Sequence, residues 1–461
     1  MGYLQEVWDE SYSKLLHLYF TPYFWKIGRP DLELLQHYKK FEFATIDEIY
    51  DQKLGKIRRL LSFAGKFVPF YQRYFEKNTI NPDAIRDIET FEEQIPVLTK
   101  QDLIQNYTKL KATRFIFPPV IENATGGSTG ILTRFLEDRY EIAHKHAVYL
   151  LNLSWCGWKP WDRRAYLWGS VRDMEKGWRF AAVERFKNSI RLNSFDMDPA
   201  KLSSYYYKLK RFRPRIIIGY AGSLFLFANY LERNGLVLDG FQFSVQSAAE
   251  TLFPAMREKI EAVFGQPIFN SYGSREISSI AHECPAHQGL HVNELVNHIE
   301  VKASTSDDLP SNYGRVIATS LTNFAFPFLR YDMGDIAEVE PQQNCSCGRK
   351  SLRLRQILGK QRDFIKTPRG KLIHGGYFAH LFYGYSTIEA FQVIQEQIDH
   401  LTVHYKKDPQ QSDADIAVYF QRIEKQIKRE CDPQFKISFN CVDRIVPLNS
   451  GKFKYISSNI S

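Results

Sequence analysis

The segment Asn123-Ala124-Thr125-Gly126-Gly127-Ser128-Thr129-Gly130 places three glycines and three hydroxyl side chains within six positions. Glycine lets backbone N–H groups approach an anion and tolerates positive φ. Ser and Thr hydroxyls supply further donors that rotate to suit a phosphate. Such a loop suits a polyphosphate. A P-loop needs Lys and then Ser or Thr after its last glycine, and here Ile131-Leu132 follow Gly130. The dinucleotide pattern G-x-G-x-x-G fails on spacing, because the run reads G-G-S-T-G. An ordinary Ser/Thr/Gly loop is the competing reading, and residues elsewhere must decide.

Four further segments bear on the question. They are Tyr272-Gly273-Ser274-Arg275-Glu276, Arg330-Tyr331-Asp332-Met333-Gly334-Asp335, Gly359-Lys360-Gln361-Arg362-Asp363 and Gly451-Lys452. Together with the glycine run, in this order and at these spacings, the set resembles the adenylate-forming (ANL) superfamily of acyl-CoA synthetases and related ligases. Further matches are Ile95 to Lys100, Ser247-Ala248-Ala249-Glu250, Glu283-Cys284-Pro285, Gly289 to Val292 and Cys345-Ser346-Cys347-Gly348-Arg349. This larger set is similar to the phenylacetate-CoA ligase family and, within it, to the CapK-like capsular-polysaccharide branch. The similarity runs from about Phe67 to Lys454.

The resemblance implies roles for particular residues. Thr125, Gly126, Gly127, Ser128, Thr129 and Gly130 would hold the β- and γ-phosphates of ATP. Glu276 would bind Mg²⁺ through oxygen, as a hard cation requires. Asp335 would accept hydrogen bonds from the ribose hydroxyls. Ser247, Ala248, Ala249 and Glu250 would border the adenine with Tyr272, and Gly273, Ser274, Arg275 and Lys360 would also belong to the nucleotide site. Lys452 would place a cation between the α-phosphate and the acid. Lys360 stands where the hinge motif usually has Arg, which keeps the charge and loses the bidentate fork. Arg275 stands where many members have Thr or Ser, a form the capsular branch shares. The bland alternatives are a surface carboxylate at Glu276, a turn cap at Asp335 and a solvated lysine at Lys452.

Cys284 and His291 lie seven apart, and Cys345 and Cys347 form C-x-C. Three thiolates and one imidazole suit a closed, four-coordinate structural Zn²⁺ site. His287 is the rival for His291, and four unrelated side chains are the alternative. His374 reads more readily as a structural histidine than as part of an acceptor site.

The chain has 461 residues, 44% hydrophobic and 25% charged, enough for more than one domain and a large core. Net charge is +9 without any block of five basic residues, which ranks nucleic acid low as a partner. The 26 Tyr and 34 Phe fit aromatic packing or an aromatic-lined pocket. No run of eighteen apolar residues predicts a transmembrane segment. The aromatic and basic stretch Lys14 to Arg29 suits a helix packed on the main body, with peripheral membrane or partner contact as the alternative. Six cysteines do not suggest a disulfide framework, and the expected compartment is cytoplasmic.

Apolar spacing predicts helices over Ile46 to Phe75, Ser223 to Asn234, Leu252 to Phe264 and Gln421 to Glu430. Strands are predicted at Val120-Ile121, with Pro118-Pro119 limiting the first, and at Ile216 to Gly219, Val316 to Thr319, Val393-Ile394, Leu401 to Tyr405 and Ile416 to Phe420. The alternation argues α/β. The resemblance implies a large N-terminal adenylate-forming domain of mixed sheets and helices, residues 1–358. A smaller mobile α+β C-terminal domain, residues 359–461, would follow it.

The function so implied is an ATP-dependent, AMP-forming carboxylic acid ligase, with ATP/AMP, Mg²⁺, structural Zn²⁺ and, for a thiol acceptor, CoA. Its partners would be a small carboxylic acid and a thiol, amine or sugar acceptor, and the resemblance implies capsular or exopolysaccharide synthesis. A catabolic aryl- or acyl-CoA ligase and a non-catalytic scaffold for glycan assembly are the alternatives. A homodimer is compatible with the sequence.

Overall fold

The computed structural model describes residues 31–126, 132–169, 184, 187–194, 197–303, 313–340, 344–360, 364–383, 388–408, 411–446 and 454–460. Gly127 to Gly130, Gln361 to Asp363, Lys452 and the stretch Lys14 to Arg29 lie outside the described residues.

The chain starts with helices α1 (Asp31–Phe41), α2 (Ile46–Phe67), α3 (Pro69–Lys77), α4 (Ile88–Gln94), α5 (Lys100–Gln105) and α6 (Tyr107–Leu110). The helices expected over Ile46 to Phe75 are α2 and α3. Thr45 caps the first through a capping box, and Pro69 opens the second immediately after Val68. Strands β1 (Val120–Gly126) and β2 (Leu132–Asp138) form an antiparallel hairpin, followed by α7 (Arg139–Trp155). The first strand is therefore much longer than Val120-Ile121. It runs into the glycine run because β2 supplies a full partner, with Thr125 opposite Thr133 and Gly126 opposite Leu132.

Next come β3 (Arg164–Trp168), β4 (Ser189–Asn193), α8 (Pro199–Phe212), β5 (Ile216–Gly219), α9 (Ala221–Arg233), β6 (Ser244–Ala248), α10 (Pro254–Phe264) and β7 (Ile268–Tyr272). The five strands pair in parallel. Ile216, Ile217 and Ile218 are all buried, as a parallel strand covered on both faces requires. Gly265 ends α10 at φ +63, a left-handed conformation suited to glycine.

The sheet continues through β8 (Ala281–Glu283), β9 (Leu290–Val292), β10 (Asn297–Ala303), β11 (Tyr313–Ser320), β12 (Tyr331–Val339) and β13 (Arg353–Lys360), all in antiparallel pairs. Eleven strands result, in the order β10-β11-β12-β13-β9-β8-β7-β6-β5-β3-β4. β13 carries Gly359 and Lys360 within this sheet, opposite Ile336 and Asp335.

The C-terminal α+β unit holds β14 (Phe364–Lys366), β15 (Leu372–His374), α11 (Gly375–Tyr383), β16 (Ile388–Gln397), β17 (His400–Lys407), α12 (Asp413–Glu430), β18 (Lys436–Cys441) and β19 (Ile456–Ser458). Four of its strands form a sheet in the order β18-β17-β16-β19. Ile416 to Phe420, expected as a strand, is part of α12. Ser412 caps that helix, and Ile416, Tyr419, Phe420, Ile423 and Ile427 are buried at helical spacing. Val418, on the opposite side, is 68% exposed. The apolar run was too short to tell helix from strand by itself.

Candidate active site and Cys/His knuckle

The carboxyl ends of parallel strands are where open α/β sheets bind ligands. At the ends of β5, β6 and β7 lie Gly219 to Gly222, Ala248 to Glu250 and Tyr272. Tyr272 donates its hydroxyl to Asp335 Oδ2 at 2.9 Å. The other oxygen of Asp335 meets Lys360 Nζ at 2.8 Å, and that ammonium also donates to Met333 O at 2.6 Å. Asp335 and Lys360 are direct partners across β12 and β13, so strand register brings them together. Asp335 is only 7% exposed. Burial first, and then the Asp335 carboxylate, push the Tyr272 phenol well above its ordinary range, so it stays a donor.

Glu276 sits in the tight connection from β7 to β8. Ser274 N–H donates to Ile277 O at 2.8 Å, and Ile277 N–H returns a bond to Ser274 Oγ at 3.1 Å. Gly273 must be glycine here, since a Cβ would lie 2.8 Å from Ser279 N. Glu276 is 8% exposed. Burial first and then the Glu276 charge push the Tyr331 phenol up.

The hairpin is linked to this turn. Register puts Asn123, Thr125, Thr133, Phe135 and Glu137 on one face of it. Asn123 Nδ2 donates to Glu137 Oε2 at 2.9 Å. Lys145 of α7 pairs with Glu137 and reaches Arg275 O at 3.4 Å. The hydroxyls of Thr125 and Thr133 are buried without a hydrogen-bond partner among the described residues. Two orphaned donors facing each other at the neck of a glycine loop suit an anion at that loop. Beneath them Glu141 is fully enclosed, and burial raises its carboxyl to about 7. Ser320 and Thr322 donate to it.

Some expected residues take other positions. Ser247 is buried and donates to Asn270 Oδ1 at 3.2 Å, inside the sheet. Ala249 turns the chain at φ +67, and Glu250 Oε2 accepts the Gly222 N–H at 2.8 Å. Arg330, the first residue of its motif, forms a bidentate pair with Glu300 at 2.8 and 2.7 Å and holds the start of β12. Lys145, Glu137 and Gly222 carry no sequence motif, because no local pattern marks their partners, which lie from 8 to 130 residues away.

Cys284, His291, Cys345 and Cys347 bring their ligand atoms within 4.8 Å of one another. Tetrahedral Zn²⁺ with bonds near 2.3 Å to sulfur and 2.1 Å to nitrogen needs S···S and S···N edges of about 3.8 and 3.6 Å. Cys284 Sγ to Cys345 Sγ is 3.7 Å, and Cys347 Sγ to His291 Nε2 is 3.4 Å. The donor set and its spacing therefore fit zinc. The other imidazole nitrogen meets Ser351 Oγ at 3.2 Å, which orients the ring. Burial lowers His291 to about 4, leaving the neutral ring a ligand needs. His287 turns instead to Glu283 at 3.2 Å. Arg349 pairs with Glu42 and lies 4.3 Å over the Trp155 ring, tying the knuckle to the chain that follows α1.

Comparison with known proteins fits this architecture. Residues 365–459 match the model of the CapK C-terminal domain. Protein CapK of Staphylococcus aureus is 23% identical over 434 residues, covering 92% of this chain and 94% of that one. The C-terminal part of the chain therefore matches the CapK model, and the chain as a whole is similar to CapK. Its relatives extend to phenylacetate-coenzyme A ligases. That of Thermus thermophilus is 25% identical over 328 residues, 67% of this chain and 70% of the other. A crystal structure of 2-hydroxyisobutyryl-CoA ligase in the postadenylation state matches with TM-score 0.71 at 18% identity, covering 92% of both chains. An open conformation of the same ligase gives TM-score 0.57, covering 91% of this chain and 93% of that one. These two share the fold. No described helix is long and apolar enough to cross a membrane.

Proposed function

We propose that this protein is an ATP-dependent, AMP-forming carboxylic acid ligase. It would join an acid to ATP as an acyl-adenylate and pass the acyl group to CoA or another thiol, an amine or a sugar hydroxyl. The observation that carries the reading is the Tyr272–Asp335–Lys360 cluster at the carboxyl ends of the sheet, facing the Glu276 turn. Similarity to CapK and to phenylacetate-coenzyme A ligases supports it.

A carboxylate resists nucleophilic attack because charge must be added to an anion. Adenylation supplies a phosphate leaving group, and the protein's part is positioning and electrostatic stabilisation. In this reading Asp335 accepts the ribose hydroxyls while Lys360 and Tyr272 hold its carboxylate in place. Thr125, Thr133 and the glycine run receive the β- and γ-phosphates. Glu276 holds Mg²⁺. Lys452 brings a cation to the α-phosphate from the C-terminal unit, which moves between the two half-reactions about the Gln361-Arg362 connection. Cys284, His291, Cys345 and Cys347 hold a structural Zn²⁺ with no open position. An aryl or aliphatic acid for catabolism and an acid for polysaccharide assembly are both within this chemistry. The relationship to CapK supports the second.

The test is ATP–pyrophosphate exchange with Mg²⁺ and a panel of acids. Lys452→Ala is expected to lower exchange with the accepted acid by about a hundredfold or more while leaving ATP binding intact. Undiminished exchange in that variant would refute the assignment.

A further inference from the structure

Helix α9 meets the C-terminal unit at both ends. At its last residue, Arg233 pairs with Glu389 at 3.1 Å and with Asp408 at 2.9 Å. Gly222, near its start, lies under the phenol of Tyr455. A Cβ on Gly222 would stand 2.1 Å from Tyr455 Oη, and 3.1 Å from both Tyr455 Cζ and Glu250 Oε2. Glycine in a helix is less favourable than alanine by about 1 kcal/mol. Gly222 therefore has a reason other than helix formation, and the close approach of the phenol supplies it.

The notch belongs to the cleft. Gly222 follows the carboxyl end of β5, and its N–H is held by Glu250, which follows β6. Tyr455 is in turn fixed within its own unit. Its carbonyl accepts the Val393 N–H at 2.7 Å, its ring packs against Phe391 at 5.7 Å, and Ile456 pairs with Val393 across β19 and β16. Lys452 precedes Tyr455 by three residues of sequence, a tether of at most about 11 Å. Any error in seating Tyr455 is passed to the lysine along that short tether.

We propose that Tyr455 is a positioning residue: seated in the Gly222 notch at the rim of the cleft, it sets the C-terminal unit on the large unit and fixes the reach of Lys452. The role of Lys452 rests on the ligase reading; the seating of Tyr455 does not. The ion pairs of Arg233 secure the far end of α9, about 17 Å along the helix, so the two contacts together define one orientation.

Two variants and two readouts test this. Gly222→Ala puts a methyl into the notch and should displace the phenol. Amide hydrogen exchange over residues 220–226 should quicken, and kcat for pyrophosphate exchange should fall at least about tenfold with KM for ATP within about twofold. Adding Tyr455→Phe removes the oxygen that the methyl meets. The double variant should return in both readouts to the level of Tyr455→Phe alone. A merely structural role would not give this rescue. Wild-type behaviour of Gly222→Ala in hydrogen exchange, or a double variant no better than the single one, would overturn the proposal. Absence of pyrophosphate exchange in the wild-type protein would instead sink the ligase reading, and hydrogen exchange would still decide whether the notch seats Tyr455.

Discussion

The cleft and the Cys/His knuckle both join the chain around residues 272–291 to the chain around 335–353, yet they satisfy their polar groups in different ways. Asp335 in the cleft holds two partners, a phenol and a partly exposed ammonium, that a ligand's hydroxyls can supplement or displace. The hydroxyls of Thr125 and Thr133 at the hairpin neck have no hydrogen-bond partner among the described residues. In the knuckle, three sulfurs and one nitrogen lie within 4.8 Å of one another, and two of their separations, 3.7 and 3.4 Å, are near the edges of a zinc tetrahedron. One region is left with unused bonding capacity, and the other is closed. Unused capacity suits a site that exchanges ligands; closure suits a site that holds two loops together.

That contrast can be broken by variants in each region. Asp335→Asn removes the charge of the proposed ribose acceptor without changing its size. Pyrophosphate exchange should fall about a hundredfold while the melting temperature moves by no more than about 2 °C. A large melting shift would make Asp335 a structural residue like those of the knuckle. Cys345→Ser should act in the opposite sense. Metal analysis should drop from one zinc per chain toward none, and stability should fall by about 2 kcal/mol or more. Wild-type protein that carries no zinc when purified without chelator would contradict the closed reading.

Smaller effects sharpen the comparison. Lys360→Met frees one oxygen of Asp335 and should raise KM for ATP by about tenfold, with kcat less affected. Beneath the hairpin, Glu141 has its folded pKa raised to about 7 by burial, above its ordinary 4.5. The folded state then binds more protons than the unfolded state between those values. Its contribution is complete below about pH 4.5 and is lost as pH rises through 7. Relative to Glu141→Gln, which cannot titrate, the wild type should lose up to about 1 kcal/mol per pH unit across that window. Parallel melting curves for the two proteins from pH 5 to 8 would show that Glu141 is not so enclosed.

How much of this was legible in the sequence differs by element. Ile216 to Gly219 and the helix ending at Gly265 were readable because burial on both faces and a left-handed glycine leave local signatures. The Cys/His set was readable because its donors are chemically distinctive even when sixty residues separate them. Ile416 to Phe420 was misread because its helical spacing emerges only when Ile423 and Ile427 are counted with it. The strand at Val120 was cut short because its length depends on β2. The Asn123–Glu137–Lys145 chain and the Gly222 notch leave no local trace, since the first depends on the register of the hairpin and the second on Tyr455 of the C-terminal unit. Glu250 fell within a readable motif, but its bond to Gly222 did not follow from that motif.

The central claim is that this cleft makes an acyl-adenylate. Its most direct test is ATP–pyrophosphate exchange by the intact protein with Mg²⁺ across aryl, aliphatic, amino and uronic acids. Acid-dependent exchange, abolished in Lys452→Ala and Asp335→Asn, is the expected result. No exchange with any acid, in protein that also fails to bind ATP, would contradict the account and favour a scaffold that keeps the fold and the knuckle.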